Sequence, residues 1–138
     1  MSRDLEHLGW LIKRVQHRHH RALDANLARL GVSVVQWNAL REIDRNPSFS
    51  QHQLAERTFN SDQAFGALLG RLQGRGLVAR RRGFGRASLH RLTPEGAALL
   101  REGPAIMALE LATSFAPLRE EEREDLALLL EKVLAAAG

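Results

Sequence analysis

The chain has 138 residues, 44% apolar and 26% charged, with five Phe, two Trp and no Tyr. That suffices for one domain with a modest core, which hides about two-thirds of its unfolded surface from water, and excludes two separate enzymatic domains. Zero cysteines exclude a disulfide frame, a thiolate metal cage and thiol chemistry. No apolar run approaches the ~18 residues of a bilayer span, and Met1-Ser2-Arg3-Asp4 is too polar to open a secretory signal, so the expected location is cytoplasmic with no membrane partner.

Charge is unevenly placed. Lys and Arg outnumber Asp and Glu by 20 to 16, and 18 of the 20 cations are Arg. Residues 1–56 carry eight cations and six anions, and residues 92–138 carry four cations and nine anions. Residues 57–91 hold eight Arg against Asp62 alone. A positive field confined to one stretch favours a polyanionic partner, and Arg suits bidentate contact with phosphate or guanine.

Leu5, Leu8, Ile12, Val15, His19 and Ala22 recur at alternating three and four spacing, and Leu23, Leu27 and Leu30 carry the stripe on, so one long helix is predicted from about Arg3 to Leu30. Gly31 suits the left-handed position past a helix end. Ser33 with Gln36 forms a capping box for a second helix through Trp37, Leu40 and Ile43, stopped by Asn46-Pro47-Ser48. Ser50 with Gln53 makes another box for a short helix bearing Leu54 and Ala55. After Thr58-Phe59-Asn60, Asn60 with Gln63 repeats the pattern. The next helix, about Ser61–Gly74, places Phe65, Leu68, Leu69 and Leu72 on a core face and Gln63, Ala67, Gly70, Arg71 and Gly74 opposite, with Gly76 at its end. From Leu77 the period becomes two, and the segments 77–82 and 87–92 flank Gly83-Phe84-Gly85 as a basic hairpin. Thr93-Pro94-Glu95 reads as N-cap, first-turn Pro and first-turn acid of a helix over about 94–114. A final helix carries Leu126, Leu129, Leu130, Val133, Leu134 and Ala137 behind the acidic run Glu120-Glu121-Glu122.

Helix, short helix, tight turn, helix and basic hairpin describe a winged helix-turn-helix, mainly α with a small β-hairpin wing, in which the second helix of the turn motif enters the major groove and the hairpin reaches its flank. Arg71 and Arg75 lie late on the recognition helix, and Arg80, Arg81, Arg82 and Arg86 cluster on the wing, where Arg82 and Arg86 beside the glycines are best placed to reach a minor groove. Gln63 is the strongest candidate base reader, through bidentate pairing with adenine, although a plain capping role also accounts for it. Ser61 and Asp62 stand at the helix N-terminus for phosphate-side or cytosine contacts, and Ser50, Gln51, Ala64, Gly66 and Ala67 complete the expected DNA-binding set. Gly66, Gly70 and Gly74 each cost about 1 kcal/mol in a helix, so their smooth face points to a close approach by DNA or by another helix.

Gly31-Val32-Ser33 leading to Gln36-Trp37 and Leu40, the run Ser50-Gln51-His52-Gln53-Leu54-Ala55-Glu56-Arg57, Leu72-Gln73-Gly74-Arg75-Gly76-Leu77-Val78 with Arg86, and Leu92-Thr93-Pro94-Glu95-Gly96 together resemble the MarR family of bacterial winged-helix transcription regulators over essentially the whole chain. The resemblance implies a single domain in which 33–92 form the winged lobe, and 1–30 with 94–138 interlock with a second copy into a homodimer. Its two lobes would face a pseudo-palindromic operator on double-stranded DNA. It departs from the family pattern in two places. No acid lies between Arg80 and Arg91, and Gly66-Ala67 stands where many members have a polar pair, which shifts the expected readout towards DNA shape.

Small phenolic or carboxylate effectors bind many relatives, and Trp10, Arg14 and Trp37 are the candidates here for aromatic walls and a cation, although both Trp could simply pack. His19 falls on the first helix's apolar stripe, as a hydrogen-bonded seam residue or a pH-sensitive one. His17, His20 and Asp24, at i, i+3 and i+7, could offer metal ligands but read better as a solvated face, so neither metal nor cofactor is expected. With no phosphate loop, nucleophile elbow or paired carboxylates, no enzyme is expected, and the expected function is a sequence-specific repressor. The alternative is a protein-interaction module using the small-residue face of 61–74, which would lack salt-dependent duplex binding.

Overall fold

The computed structural model describes residues 4–82 and 88–136. Within them, six α-helices and one antiparallel strand pair follow the order α1 (Leu5–Leu27), α2 (Val34–Arg45), α3 (Gln51–Arg57), α4 (Asp62–Gly74), β1 (Val78–Arg82), β2 (Ser88–Leu92), α5 (Pro94–Phe115) and α6 (Glu120–Ala136). The mainly α class with a small hairpin is as expected. The first helix is shorter than its apolar stripe: it ends at Leu27 and tightens into a 3-10 turn, Ala28–Leu30, before Gly31 takes φ 77°. Gly31 lets the chain reverse there without a Cβ clash.

Local polar groups start each helix of the lobe. Ser33 Oγ accepts the Gln36 N–H at 3.1 Å while Gln36 Oε1 accepts the Ser33 N–H at 3.0 Å, and Ser50 with Gln53 repeats the arrangement. Asp24 on α1 adds a non-local cap, its carboxylate accepting the Val34 N–H at 2.8 Å. The expected third box does not form. Ser61 caps α4 by accepting from Ala64, because the Asn60 amide is already donating to Thr58 Oγ1 at 2.9 Å and to the Thr58 carbonyl. Gln63 is thereby left free.

Leu23 and Leu27 of α1, Trp37, Leu40 and Ile43 of α2, Leu54 of α3, and Phe65, Leu68, Leu69 and Leu72 of α4 bury together with Leu77 and Val78. Each large apolar side chain so placed contributes about 1.5–3 kcal/mol. Glu42 is buried at the edge of this core, where it accepts hydrogen bonds from Arg57 Nε at 3.3 Å and Asn46 Nδ2 at 3.1 Å and so ties the end of α3 to α2. Arg41 stacks its guanidinium 5.1 Å from the Trp37 ring.

α5 joins the lobe to α1. At its start Thr93 Oγ1 donates to the Gly76 carbonyl at 2.6 Å and accepts the Gly96 N–H, and the bare Cα of Gly96 lies against the Leu77 carbonyl. Two turns on, Gly103 lies flat against the Trp37 indole, where a Cβ would overlap the ring. Pro104 follows inside the helix. Further along, Asn26 of α1 donates to Glu110, and His19 Nε2 lies 2.6 Å from Ser114 Oγ with its ring edge-on to Phe115. His19 is a half-buried seam residue within the chain.

In contrast, α6 buries none of its described residues. It exposes Leu128, Leu129, Val133 and Leu134, and the first half of α1 exposes Leu5, Leu8, Trp10 and Ile12.

Two substitutions test these contacts by urea unfolding. Gly103→Ala should lower stability by about 2 kcal/mol, since neither the Trp37 ring nor α5 can give way. Phe59, 98% exposed in the turn between α3 and α4, holds φ 60° without being glycine. Phe59→Gly should relieve that strain and raise stability by about 1 kcal/mol.

Candidate nucleic-acid interface

α3 and α4 pack side by side and start at the capped serines Ser50 and Ser61, so both N-termini carry backbone N–H groups and the positive end of a helix dipole. Phe65, Leu68, Leu69 and Leu72 bury one face of α4, and this rotation sets the opposite face outward. Ser61, Asp62, Gln63, Ala64, Ala67, Gly70 and Arg71 are all exposed. Gln63 is the long neutral polar side chain at the front of this face.

Gly66 has a local role. The Gln51 amide of α3 crosses it, with Nε2 3.0 Å from where a Cβ would stand. The missing side chain thus lets α3 lay a polar group over α4. Arg75 departs from the expected set in place. It is exposed at the C-cap of α4, but its guanidinium reaches Gly31 at the far end of the lobe from Ser61.

The wing pairs Val78 with Leu92, Ala79 with Arg91, Arg80 with His90, Arg81 with Leu89 and Arg82 with Ser88. Val78 is buried and Leu92 packs on the core, anchoring the root of the hairpin, while Arg80 and Arg91 are exposed. Arg81 and Arg82 are placed by backbone register alone, and Arg86 with the Gly83–Gly85 turn lies outside the described residues.

His90 is 3% exposed and neither ring nitrogen has a hydrogen-bond partner. Burial, followed by the Arg80 charge across the strand pair, pushes its pKa below the ordinary histidine value. Spacing within the strand gave no sign of this. The sequence reading also missed His52 of α3, whose Nδ1 lies 2.8 Å from Asp62 Oδ1 and whose Nε2 lies 2.9 Å from Glu56 Oε1. The i, i+4 pair with Glu56 was visible in the sequence, whereas the link to Asp62 needs the packing of α3 on α4.

The expected effector trio is not assembled. Trp10 and Arg14 line an open groove of about 1000 Å³ along α1 with Leu11, Val15, Arg18 and Arg21. Trp37 is instead buried against Gly103, because it lies on the same core stripe as Leu40. Of the three residues considered as metal ligands, Asp24 is engaged as the cap of α2. Among the described residues no group of three His, Asp or Glu is placed to hold a metal ion, and no helix is long and apolar enough to cross a membrane.

A family model described as MarR family matches residues 30–84, from the turn that follows α1 to just past β1. The HTH-type transcriptional repressor Rv2887 of Mycobacterium tuberculosis strain H37Rv is 29% identical over 128 residues, covering 91% of this chain and 92% of the relative. A mutant MarR from E. coli complexed with operator DNA superposes with a TM-score of 0.85 at 27% identity, covering 96% of this chain and 99% of the other. Over nearly its whole length the chain is similar to MarR-family proteins. Rv2887 complexed with p-aminosalicylic acid superposes with a TM-score of 0.77 at 28% identity, covering 91% of this chain and 97% of the other. The proteins it resembles include transcriptional repressors, and the winged-helix fold expected from its capping boxes and basic hairpin is the fold it has.

His90 sets a pH dependence for the wing root. Because its folded pKa is lowered, the stability it contributes is fully present above the ordinary value of 6.5 and is lost as pH falls towards and through the lowered value. His90→Leu should flatten this acid-side loss in urea unfolding series between neutral pH and pH 5, while leaving unfolding at pH 8 little changed.

Proposed function

We propose that the protein is a homodimeric, sequence-specific repressor that binds pseudo-palindromic double-stranded DNA through α4 and the wing and acts by occupancy, without catalysis, in the cytoplasm. The observation that carries this reading is the outward face of α4, where an unengaged Gln63 stands at the capped N-terminus of a helix whose other end runs into an arginine-bearing hairpin. Such a surface offers a major groove hydrogen-bonding groups at its centre and phosphates cations at its margins.

Within it, Gln63 would read a base edge, with Gln51 crossing Gly66 to supply a second amide where α4 has no polar side chain of its own. Ser50, Ser61 and Asp62 would frame the two helix N-termini, while Ala64, Ala67 and Gly70 would let backbone and groove approach closely. Arg71 would meet phosphate on the flank of α4. Arg80, Arg81, Arg82 and Arg86 would serve the wing. Arg75, turned towards Gly31, would contribute only to the general field.

Residues 33–92 would form the DNA-binding lobe, and 1–30 with 94–138 the dimer frame. Support comes from the exposed apolar residues of α6 and the first half of α1, which a second copy of the chain would cover. The complexes of related proteins with operator DNA and with p-aminosalicylic acid support DNA as partner and an aromatic carboxylate as effector class. In this chain Trp10 and Arg14 are the residues that would meet such an effector, in the groove along α1 that the second copy would close.

Three measurements test the reading. Sedimentation at micromolar concentration should give twice the chain mass, and a stable monomer would refute the dimer. Arg86→Ala should weaken binding to every duplex and reduce the slope of log affinity against log salt by about one per lobe. Gln63→Ala should cost about 1–3 kcal/mol of discrimination at one base pair per half-site, measured by selection from randomised duplexes. An unchanged selected motif would remove Gln63 as a reader.

A further inference from the structure

The DNA-facing edge carries one histidine that the reading above does not use. His52, in the first turn of α3, touches two carboxylates: Asp62, the first residue of α4, at 2.8 Å through Nδ1, and Glu56, one turn along α3, at 2.9 Å through Nε2. A carboxylate can only accept. Both ring nitrogens must therefore donate for both contacts to be hydrogen bonds, and only the imidazolium has two N–H groups. A neutral ring can satisfy one acid and turns a lone pair towards the other.

We propose that His52 is a positioning residue that makes DNA binding depend on its protonation, holding Asp62 neutralised and tied to α3 so that the N-terminus of the recognition helix can meet phosphate. The inference rests on α4 being the DNA-reading helix. Asp62 is the one acid in the stretch 57–91 and stands where the field of the helix N-terminus and of the arginines would otherwise draw a phosphate. With the ring charged, the His52–Glu56–Asp62 cluster carries one net negative charge, and with the ring neutral it carries two. The extra charge falls on the surface a polyanion must approach. The same coupling runs in reverse: a nearby phosphate favours the imidazolium, so binding takes up protons, to a limit of one per lobe and two per dimer.

The groups facing the ring are Glu56 from its own helix and Asp62 from α4. α2, also packed on α3, directs its Glu42 to Arg57 instead. Among the described residues no cation opposes the charged form. Asp62 first, by hydrogen bond and charge, and then Glu56 raise the pKa of His52 above the ordinary histidine value.

The test is duplex affinity against pH, from 6.5 to 8.5 at constant ionic strength, for the full chain and two variants, using an operator selected from randomised DNA. Wild-type binding should weaken about tenfold across this range as His52 loses its proton. His52→Gln, which keeps a donor nitrogen but cannot charge, should bind like the wild type at pH 8.5 and show little pH dependence. Asp62→Asn should bind more tightly than the wild type at pH 8.5, with a shallower profile. Parallel profiles for wild type and His52→Gln, whether offset or not, would overturn the proposal and leave His52 a purely structural link. Absence of duplex binding by the wild type at every pH in low salt would instead overturn the assignment of α4 as a DNA-reading helix.

Discussion

The architecture depends on how closely α5 can approach the lobe. Two glycines allow it: Gly96 lets the helix start against the Leu77 carbonyl, and Gly103 lets its backbone lie on the Trp37 ring. Any side chain at either place would hold the long helix away from α2 and from the root of the wing. The core of the lobe would then lose the cover that α5 gives it, and the hairpin would lose the Thr93 clamp to Gly76. The orientation of α4 relative to the rest of the chain is set at these two contacts, well away from the surface that α4 presents.

Electrostatics follow from that placement. The positive stretch falls on α4 and the hairpin, while the acids of the C-terminal third fall largely on α6. The exception to this segregation is Asp62, held by His52, and the buried acid Glu42 is matched by Arg57 and Asn46 on the other side of α3. Both acids thus serve to fasten α3, one to α4 and one to α2. A helix of seven residues has little stability of its own, and these polar ties join the burial of Leu54 and Ala55 in fixing it.

Much of this was legible in the residues because the signals are local. Ser33 with Gln36, Ser50 with Gln53 and Thr93-Pro94 mark helix starts through hydrogen bonds spanning three residues, and the burial of Phe65, Leu68, Leu69 and Leu72 follows from spacing alone. The third capping box failed through competition, since Asn60 and Ser61 can both cap and Thr58 claims the Asn60 amide. For Trp37 the sequence leaves packing and an effector wall both open, since an aromatic residue suits both roles; its burial against Gly103, 66 residues away, is the packing arrangement. Packing between elements likewise hid the tie between His52 and Asp62 and the burial of His90 on β2. Arg75 is exposed as its spacing requires, yet its long side chain at the α4 C-cap reaches Gly31 in the turn between α1 and α2, a contact that only the tertiary fold creates.

Pro104 lies inside α5, one residue past Gly103. It has no N–H to offer the Leu100 carbonyl, so the ladder of α5 lacks a rung immediately after the residue on which Trp37 rests. The N-terminal portion of the helix belongs to the lobe through Thr93, Gly96 and Gly103, and the C-terminal portion belongs to α1 through Glu110, Ser114 and Phe115. Bending stiffness along α5 is therefore lowest at the boundary between these two attachments. A bend of α5 at that joint would pivot where the bare Cα of Gly103 meets the Trp37 indole.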